Sequence, residues 1–120
     1  MVTRLNMALV IVTHNLGVVA RYAQRVYVMY AGRIVEHGSV NQLLLSPRHP
    51  YTIGLLQCVP RPGDRNSNPL IPIGGTPPSL INMPPTCAFL PRCRHKVKMC
   101  HAAPWPDLKP VDDGHYAACY

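Results

Sequence analysis

The chain has 120 residues, of which 48% are hydrophobic, and a formal net charge of +7. The apolar fraction is sufficient for a packed core and argues against wholesale disorder, and the length suits one domain or a small domain with part of another. The charge alone does not separate nucleic acid, an anionic membrane surface and phosphate-bearing ligands as partners.

No targeting segment is recognisable. The apolar run near the start, residues 7–12, is too short to span a membrane and no small-residue cleavage site follows it. We therefore expect a cytoplasmic protein. In that reducing compartment, the five cysteines are expected to be metal ligands or free thiols rather than disulfides.

Proline and cysteine divide the chain into two halves. All 14 prolines lie at Pro47 or later, and all 5 cysteines lie at Cys58 or later. Proline removes backbone donors and fixes turns. The first half is therefore predicted to hold regular secondary structure, and the second to be rich in loops.

The chain begins with a predicted buried strand. Residues 7–12 are continuously apolar and rich in β-branched side chains, which is typical of a strand in a parallel sheet. Leaving about five such side chains uncovered forfeits roughly 1.5–3 kcal/mol each, a sum comparable to the stability of a whole domain, about 5–15 kcal/mol. No second parallel strand pattern accompanies it, so we expect this chain to be the end of a longer protein.

A helix, a hairpin and a second helix are predicted next. The apolar residues Leu16, Val19, Ala20 and Ala23 recur at helical spacing. Residues 25–30 and 33–36 flank a two-residue turn and predict a β-hairpin. Ser39, with Gln42 three residues later, predicts a capping box that opens a short helix ending at Leu45.

The second half contains weaker signals. Residues 53–58 predict a short helix, residues 60–68 are polar and turn-rich and predict the most flexible segment, and residues 72–78 predict turns and extended backbone.

Four cysteines occupy the last third of the chain: Cys87, Cys93, Cys100 and Cys119. Four thiolates can hold zinc or an iron–sulfur cluster. Gaps of five, six and eighteen residues do not provide the close cysteine pairs of common zinc folds. Uncoordinated thiols remain an alternative, and nearby histidines could replace a cysteine: His95, His101 and His115.

The basic side chains that flank the second cysteine and lie between it and the third have three interpretations. They form a solvated surface, compensate the negative charge of a four-thiolate site, or contact nucleic-acid phosphates. The last would make the chain a non-catalytic four-cysteine metal-binding module that binds nucleic acid or protein. No interleaved aromatic platform supports it, so we expect no nucleic acid. The side chains are Arg92, Arg94, Lys96 and Lys98.

His14 follows the predicted strand directly, at the end where open α/β sheets place ligand-contacting groups. Its imidazole could contact a phosphate oxygen, or it could be a structural histidine bonded to nearby backbone. Residues 9–19 together with residues 25–36 resemble the switch-histidine loop and following hairpin of ABC ATPases. The resemblance implies that His14 contacts the γ-phosphate of ATP. Asn15 stands where that family usually has aspartate.

The second half resembles the C-terminal extension of oligopeptide/dipeptide and nickel transporter ATPases, through residues 47–56, 75–78, 87–93 and 114–119. The four-cysteine pattern resembles that by which some members bind a [4Fe-4S] cluster, with zinc as the alternative. Cys58 lies outside this pattern. The resemblance implies Mg-ATP as cofactor, transmembrane permease subunits and a second ATPase subunit as partners, and a peripheral location on the cytoplasmic face of the inner membrane.

The implied fold is α/β. Residues 1–45 would be the C-terminal fragment of a P-loop ABC nucleotide-binding domain (strand, helix, β-hairpin, helix), and residues 46–120 a small loop-rich Pro/Cys extension. The sequence contains no G-x-x-x-x-G-K-[ST] phosphate loop, nor the family's signature motif or Walker B acid. The implied activity of the intact protein is ATP hydrolysis that drives peptide import, and we expect the isolated chain to be inactive.

Overall fold

A computed structural model describes residues 4–60 and 70–120. The helices are α1 (Leu16–Tyr22), α2 (Val40–Leu45), α3 (Pro50–Gln57) and α4 (Lys98–Ala102), with a 3₁₀ turn at Leu90–Arg92. The strands are β1 (Arg25–Tyr30), β2 (Arg33–Ser39), β3 (Lys109–Asp112) and β4 (His115–Ala117). They form one antiparallel sheet in the order β1-β2-β4-β3. No helix in the described ranges is long and apolar enough to cross a membrane.

The predicted strand at residues 7–12 is not formed. This segment has no regular secondary structure, and Val10 and Val12 are 87% and 97% exposed. A strand needs a neighbour to satisfy its backbone donors and acceptors, and none of the described strands pairs with it. The expectation of a strand at this position was therefore wrong for this chain in isolation.

The first helix and the hairpin are confirmed. Asn15 caps α1, because its side chain accepts hydrogen bonds from the backbone N–H groups of Gly17 and Val18. The hairpin of β1 and β2 turns through Ala31 and Gly32, which have positive φ values of 46° and 79°. Positive φ at both central residues is typical of the tight turns that suit strand twist.

The second helix is also confirmed. Ser39 ends β2 and forms the predicted capping box with Gln42, and α2 ends at Leu45. The predicted helix at residues 53–58 begins three residues earlier, at Pro50, because His49 caps it and proline suits the first helical position. Residues 72–78 contain no helix or strand, as predicted. Most of the predicted flexible segment, residues 61–68, lies outside the described residues.

The C-terminal hairpin was not predicted. β3 and β4 are joined through Asp113 and Gly114, and Gly114 has a positive φ of 65°. β4 then pairs with β2, which places the end of the chain beside the first hairpin. The hairpin is short and its first strand contains a proline, so the alternating pattern of a strand is too brief to recognise.

The core lies between the inner face of the sheet and the loop-rich segment that follows it. Tyr30 and Phe89 meet edge to face with ring centroids 5.2 Å apart. Gly54 in α3 is required by close packing, because an added Cβ would lie 2.9 Å from the Ile73 side chain. The buried members of the core are Tyr30, Val35, Ala88, Phe89 and Trp105.

A buried carboxylate joins the sheet to the segment before α3. Glu36 on β2 is 0% exposed. Its Oε1 accepts from the Arg48 backbone N–H at 2.7 Å and lies 2.7 Å from His115 Nε2, and its Oε2 accepts from the His49 backbone N–H at 2.9 Å. A buried charge is tolerated when it is paired and hydrogen-bonded in this way.

We expect the Glu36→Ala substitution to lower the free energy of unfolding by about 3–5 kcal/mol, because it leaves buried donors without an acceptor. Urea unfolding followed by fluorescence of the single tryptophan, Trp105, measures this loss. The matched control is Asp107→Ala at an exposed carboxylate, for which a change within about 0.5 kcal/mol is expected. Equal effects of the two substitutions would contradict the anchoring role of Glu36.

Stability should also depend on pH through His49. Burial lowers the pKa of His49 from 6.5 to about 4, although the charge of Glu36 acts in the opposite direction. Between these values the unfolded chain binds a proton that the folded chain does not, so the free energy of unfolding falls as pH falls. We expect His49 to contribute a loss of about 2–3 kcal/mol between pH 7 and pH 4.5.

Urea unfolding of the wild type and of His49→Asn at the two pH values measures this contribution. Asparagine does not titrate, and it is also a favourable helix cap. The variant should therefore lose less stability than the wild type on acidification. The same loss in both proteins would show that His49 does not cause it.

Candidate metal centre

The four cysteines of the last third line one cavity. They are Cys87, Cys93, Cys100 and Cys119. The first two flank the 3₁₀ turn Leu90–Arg92, the third lies in α4, and the last follows β4. All four are half-buried free thiols. Chain segments far apart in sequence are therefore brought together by the fold around a shared space.

Backbone amides face the sulfur atoms of these cysteines. The amides of Phe89 and Leu90 lower the pKa of Cys87, and the Val97 N–H donates to Cys100 Sγ at 3.5 Å. The His95 amide acts in the same way on Cys93, and the Tyr120 amide on Cys119. Such donors stabilise thiolate over thiol, which is the form that binds metals.

Burial opposes ionisation of the same thiols. It is the largest effect on Cys87, Cys93 and Cys119 and raises the pKa of each above 9.0. Proximity of the other cysteines raises these pKa values further. Four neighbouring thiolates are thus unfavourable without a cation, and metal binding would release protons.

The arrangement differs from that of a single-ion site. Within residues 4–60 and 70–120, no group of three or more His, Cys, Asp or Glu side chains is placed to hold one metal ion. Sulfur ligands of one tetrahedral zinc lie about 3.8 Å apart, given a Zn–S distance of about 2.3 Å. An iron–sulfur cubane spreads its cysteines over different irons. The four free thiols that line the cavity have the donor chemistry that either kind of site requires.

The histidines considered as replacement ligands differ in position. His95 lines the cavity, His101 is exposed on α4, and Nε2 of His115 is bonded to Glu36. His49, which the sequence did not single out as a site residue, also lines the cavity. The one local signal at His49 is the proline after it, which is typical of the residue that follows a helix cap.

The basic residues between the cysteines do not act as one group. The guanidinium of Arg92 donates to the carbonyl oxygens of Gly74 and Ile73 and to the Tyr30 hydroxyl. Arg92 therefore ties the extended segment to the sheet and does not compensate thiolate charge. Lys96 does act on the site, because its charge lowers the pKa of Cys93.

His14 lies at an exposed bend between the unpaired N-terminal segment and α1. The next residue, Asn15, bonds back to the Thr13 hydroxyl through its backbone N–H and caps α1 through its side chain. Asparagine and aspartate cap helices about equally well. Asparagine at this position therefore provides the cap of α1 that aspartate would also provide.

Comparison with known proteins covers both halves of the chain. The family described as "Oligopeptide/dipeptide transporter, C-terminal region" matches residues 35–100. A putative peptide import ATP-binding protein of Brucella ovis is 52% identical over 118 residues, which is 94% of this chain and 35% of that protein. The oligopeptide transport ATP-binding proteins OppD of Mycobacterium tuberculosis and Salmonella typhimurium are 50% and 43% identical, over 91% and 96% of this chain.

The chain spans only part of these relatives, 18% of the M. tuberculosis protein and 33% of the S. typhimurium protein. The similarity nevertheless covers more than nine-tenths of this chain in each case. The chain therefore belongs to the oligopeptide/dipeptide transporter ATP-binding protein family and corresponds to its C-terminal portion.

Proposed function

We propose that this chain is the C-terminal part of the ATP-binding subunit of an ABC importer that couples ATP hydrolysis to uptake of oligopeptides or dipeptides. The observation that carries the proposal is the identity of 43–52% to peptide import and oligopeptide transport ATP-binding proteins over nearly the whole chain. Its partners would be transmembrane permease subunits and a second ATPase subunit. The subunit would lie in the cytoplasm, peripheral on the inner membrane.

Within that subunit, residues 1–45 would complete the nucleotide-binding domain and residues 46–120 would form the extension. The exposed apolar side chains of residues 7–12 support this domain assignment, because a sheet supplied by the rest of the protein would bury them. Burial of a two-sided strand would also fix the bend that carries His14.

His14 would contact the γ-phosphate of Mg-ATP. Its exposure at the bend leaves the imidazole accessible to a nucleotide held by other parts of the protein. A donor aimed at a transferring phosphoryl group stabilises the charge that develops during the reaction. The phosphate loop and magnesium-binding carboxylate would have to come from sequence that this chain does not contain.

We expect His14→Ala to lower ATP hydrolysis by the intact importer about 10²–10³-fold, which is typical for loss of one charge-stabilising donor. Steady-state phosphate release in the purified transporter measures the effect. His101→Ala, at an exposed histidine of α4, is the matched control and should retain activity. The isolated 120-residue chain should show background hydrolysis only. Turnover above background by this chain, or wild-type turnover by the intact importer with His14→Ala, would contradict the assignment.

The four-cysteine cavity would hold a [4Fe-4S] cluster, with zinc as the alternative. Support comes from the four free thiols around one space and the amides that face their sulfur atoms. When bound, such a cluster cross-links its ligands and can exchange one electron. Its role would be structural or regulatory.

We expect anaerobically purified protein to contain about four irons and four acid-labile sulfides per chain, as the cluster's composition requires. Single Cys→Ser substitutions at the four cavity cysteines should lower this content sharply. Cys58→Ser is the matched control, because the Cys58 thiol donates to the Ile71 carbonyl oxygen, away from the cavity. Stoichiometric zinc without sulfide would replace the cluster by the zinc alternative, and the absence of both metals would overturn the site.

A further inference from the structure

His49 occupies an unusual position between the anchor at Glu36 and the cysteine cavity. Its backbone N–H donates to Glu36, and its side chain is 1% exposed. The ring lies 6.0 Å from the Phe89 ring, and both residues line the cavity with the four cysteines. His49 therefore belongs to the wall of this cavity.

The hydrogen bonds of the ring determine which nitrogen carries the proton. His49 Nδ1 accepts the backbone N–H of Tyr51 at 3.1 Å, the bond that caps α3. A nitrogen that accepts a hydrogen bond carries no proton, so the proton of the neutral ring is on Nε2. None of the hydrogen bonds among the described residues uses this Nε2–H, and it is not among their fully enclosed unpaired atoms.

We propose that His49 is a positioning residue of the four-cysteine site, with its Nε2–H donating a hydrogen bond to a sulfur atom of that site. The inference rests on the proposed metal centre and deepens it. Direct coordination by Nε2 is disfavoured, because it would move the proton to Nδ1 and break the cap of α3. Hydrogen bonds to sulfur stabilise the more negative, reduced state of a cluster and raise its reduction potential.

Two substitutions separate the two nitrogen atoms of His49. The side-chain oxygen of asparagine can take the place of Nδ1, so His49→Asn keeps the helix cap and loses the distal donor. The longer glutamine amide can place its NH₂ near the position of Nε2, so His49→Gln keeps the distal donor at the expense of the cap. His101→Asn, at an exposed histidine next to Cys100, is the matched control.

The test is a redox titration of the anaerobically purified, cluster-loaded proteins with dithionite, followed by electron paramagnetic resonance. In His49→Asn we expect about a tenfold lower ratio of reduced to oxidised cluster at a fixed potential, which is about 59 mV for a one-electron couple. His49→Gln should lie close to the wild type in potential and below it in stability to urea. His101→Asn should match the wild type in both.

Each outcome has one meaning. If the wild type binds a cluster and His49→Asn has the same potential, the inference fails while the metal centre stands. Nitrogen coordination seen in the resonance spectrum would also overturn it. If the wild type binds zinc instead, His49→Asn should weaken zinc affinity about 10–100-fold, and equal affinity would overturn the inference. A wild type that binds neither iron nor zinc overturns both proposals.

Discussion

The buried carboxylate of Glu36 is the constraint on which the arrangement of the extension depends. A carboxylate removed from water is destabilising by several kcal/mol unless other groups replace its hydration. Here the replacements come from two separate parts of the chain, the backbone at residues 48–49 and the ring of His115. The His49 amide and the His115 ring are also buried. Displacing either of them leaves unpaired polar atoms, so the three segments are held together as a unit.

The cysteine cavity is built on this unit. His115 begins β4, and Cys119 follows two residues after the end of that strand. On the other side, His49 is fixed through its backbone to Glu36 and through its ring to the start of α3. Two parts of the cavity wall are therefore set by one carboxylate on β2. The remaining wall, with Cys87 and Cys93, is placed by Phe89 in the core between them.

Local patterns predicted the elements whose stability is local. The cap at Ser39, the helical stripe from Leu16 and the turn at Gly32 all depend on neighbours within a few residues, and all are present. The prediction of a strand at residues 7–12 was wrong because a strand needs hydrogen-bonding neighbours, and the sequence of the strand itself does not show whether they are present. The C-terminal hairpin was missed for a related reason: β4 has three residues and gains its place by pairing with β2.

The candidate site also has a part that the sequence predicts and a part that depends on tertiary structure. The number of cysteines and the family resemblance singled out Cys87, Cys93, Cys100 and Cys119 as candidate ligands. Their spacing in the sequence could not show that they line one cavity, because Cys119 is brought near Cys87 only when β4 pairs with β2. The position of His49 in the wall was beyond sequence reasoning. The proline after His49 indicates a helix cap. The place of His49 in the cavity wall depends on the hydrogen bonds from the backbone of residues 48–49 to Glu36 on β2.

The residues before and after position 45 are consequently packed as one body in this chain. Strands from both sides of residue 45 share the sheet, and Val35 from one side packs in the same core as Phe89 and Trp105 from the other. The proposed boundary at residue 45 thus marks a change in composition and not a gap in packing. Residues 7–12 are the exposed apolar segment that this packing leaves uncovered. The first hairpin and α2 are held together within the same body, because the Gln24 carbonyl oxygen before β1 accepts the backbone N–H of Val40 in α2.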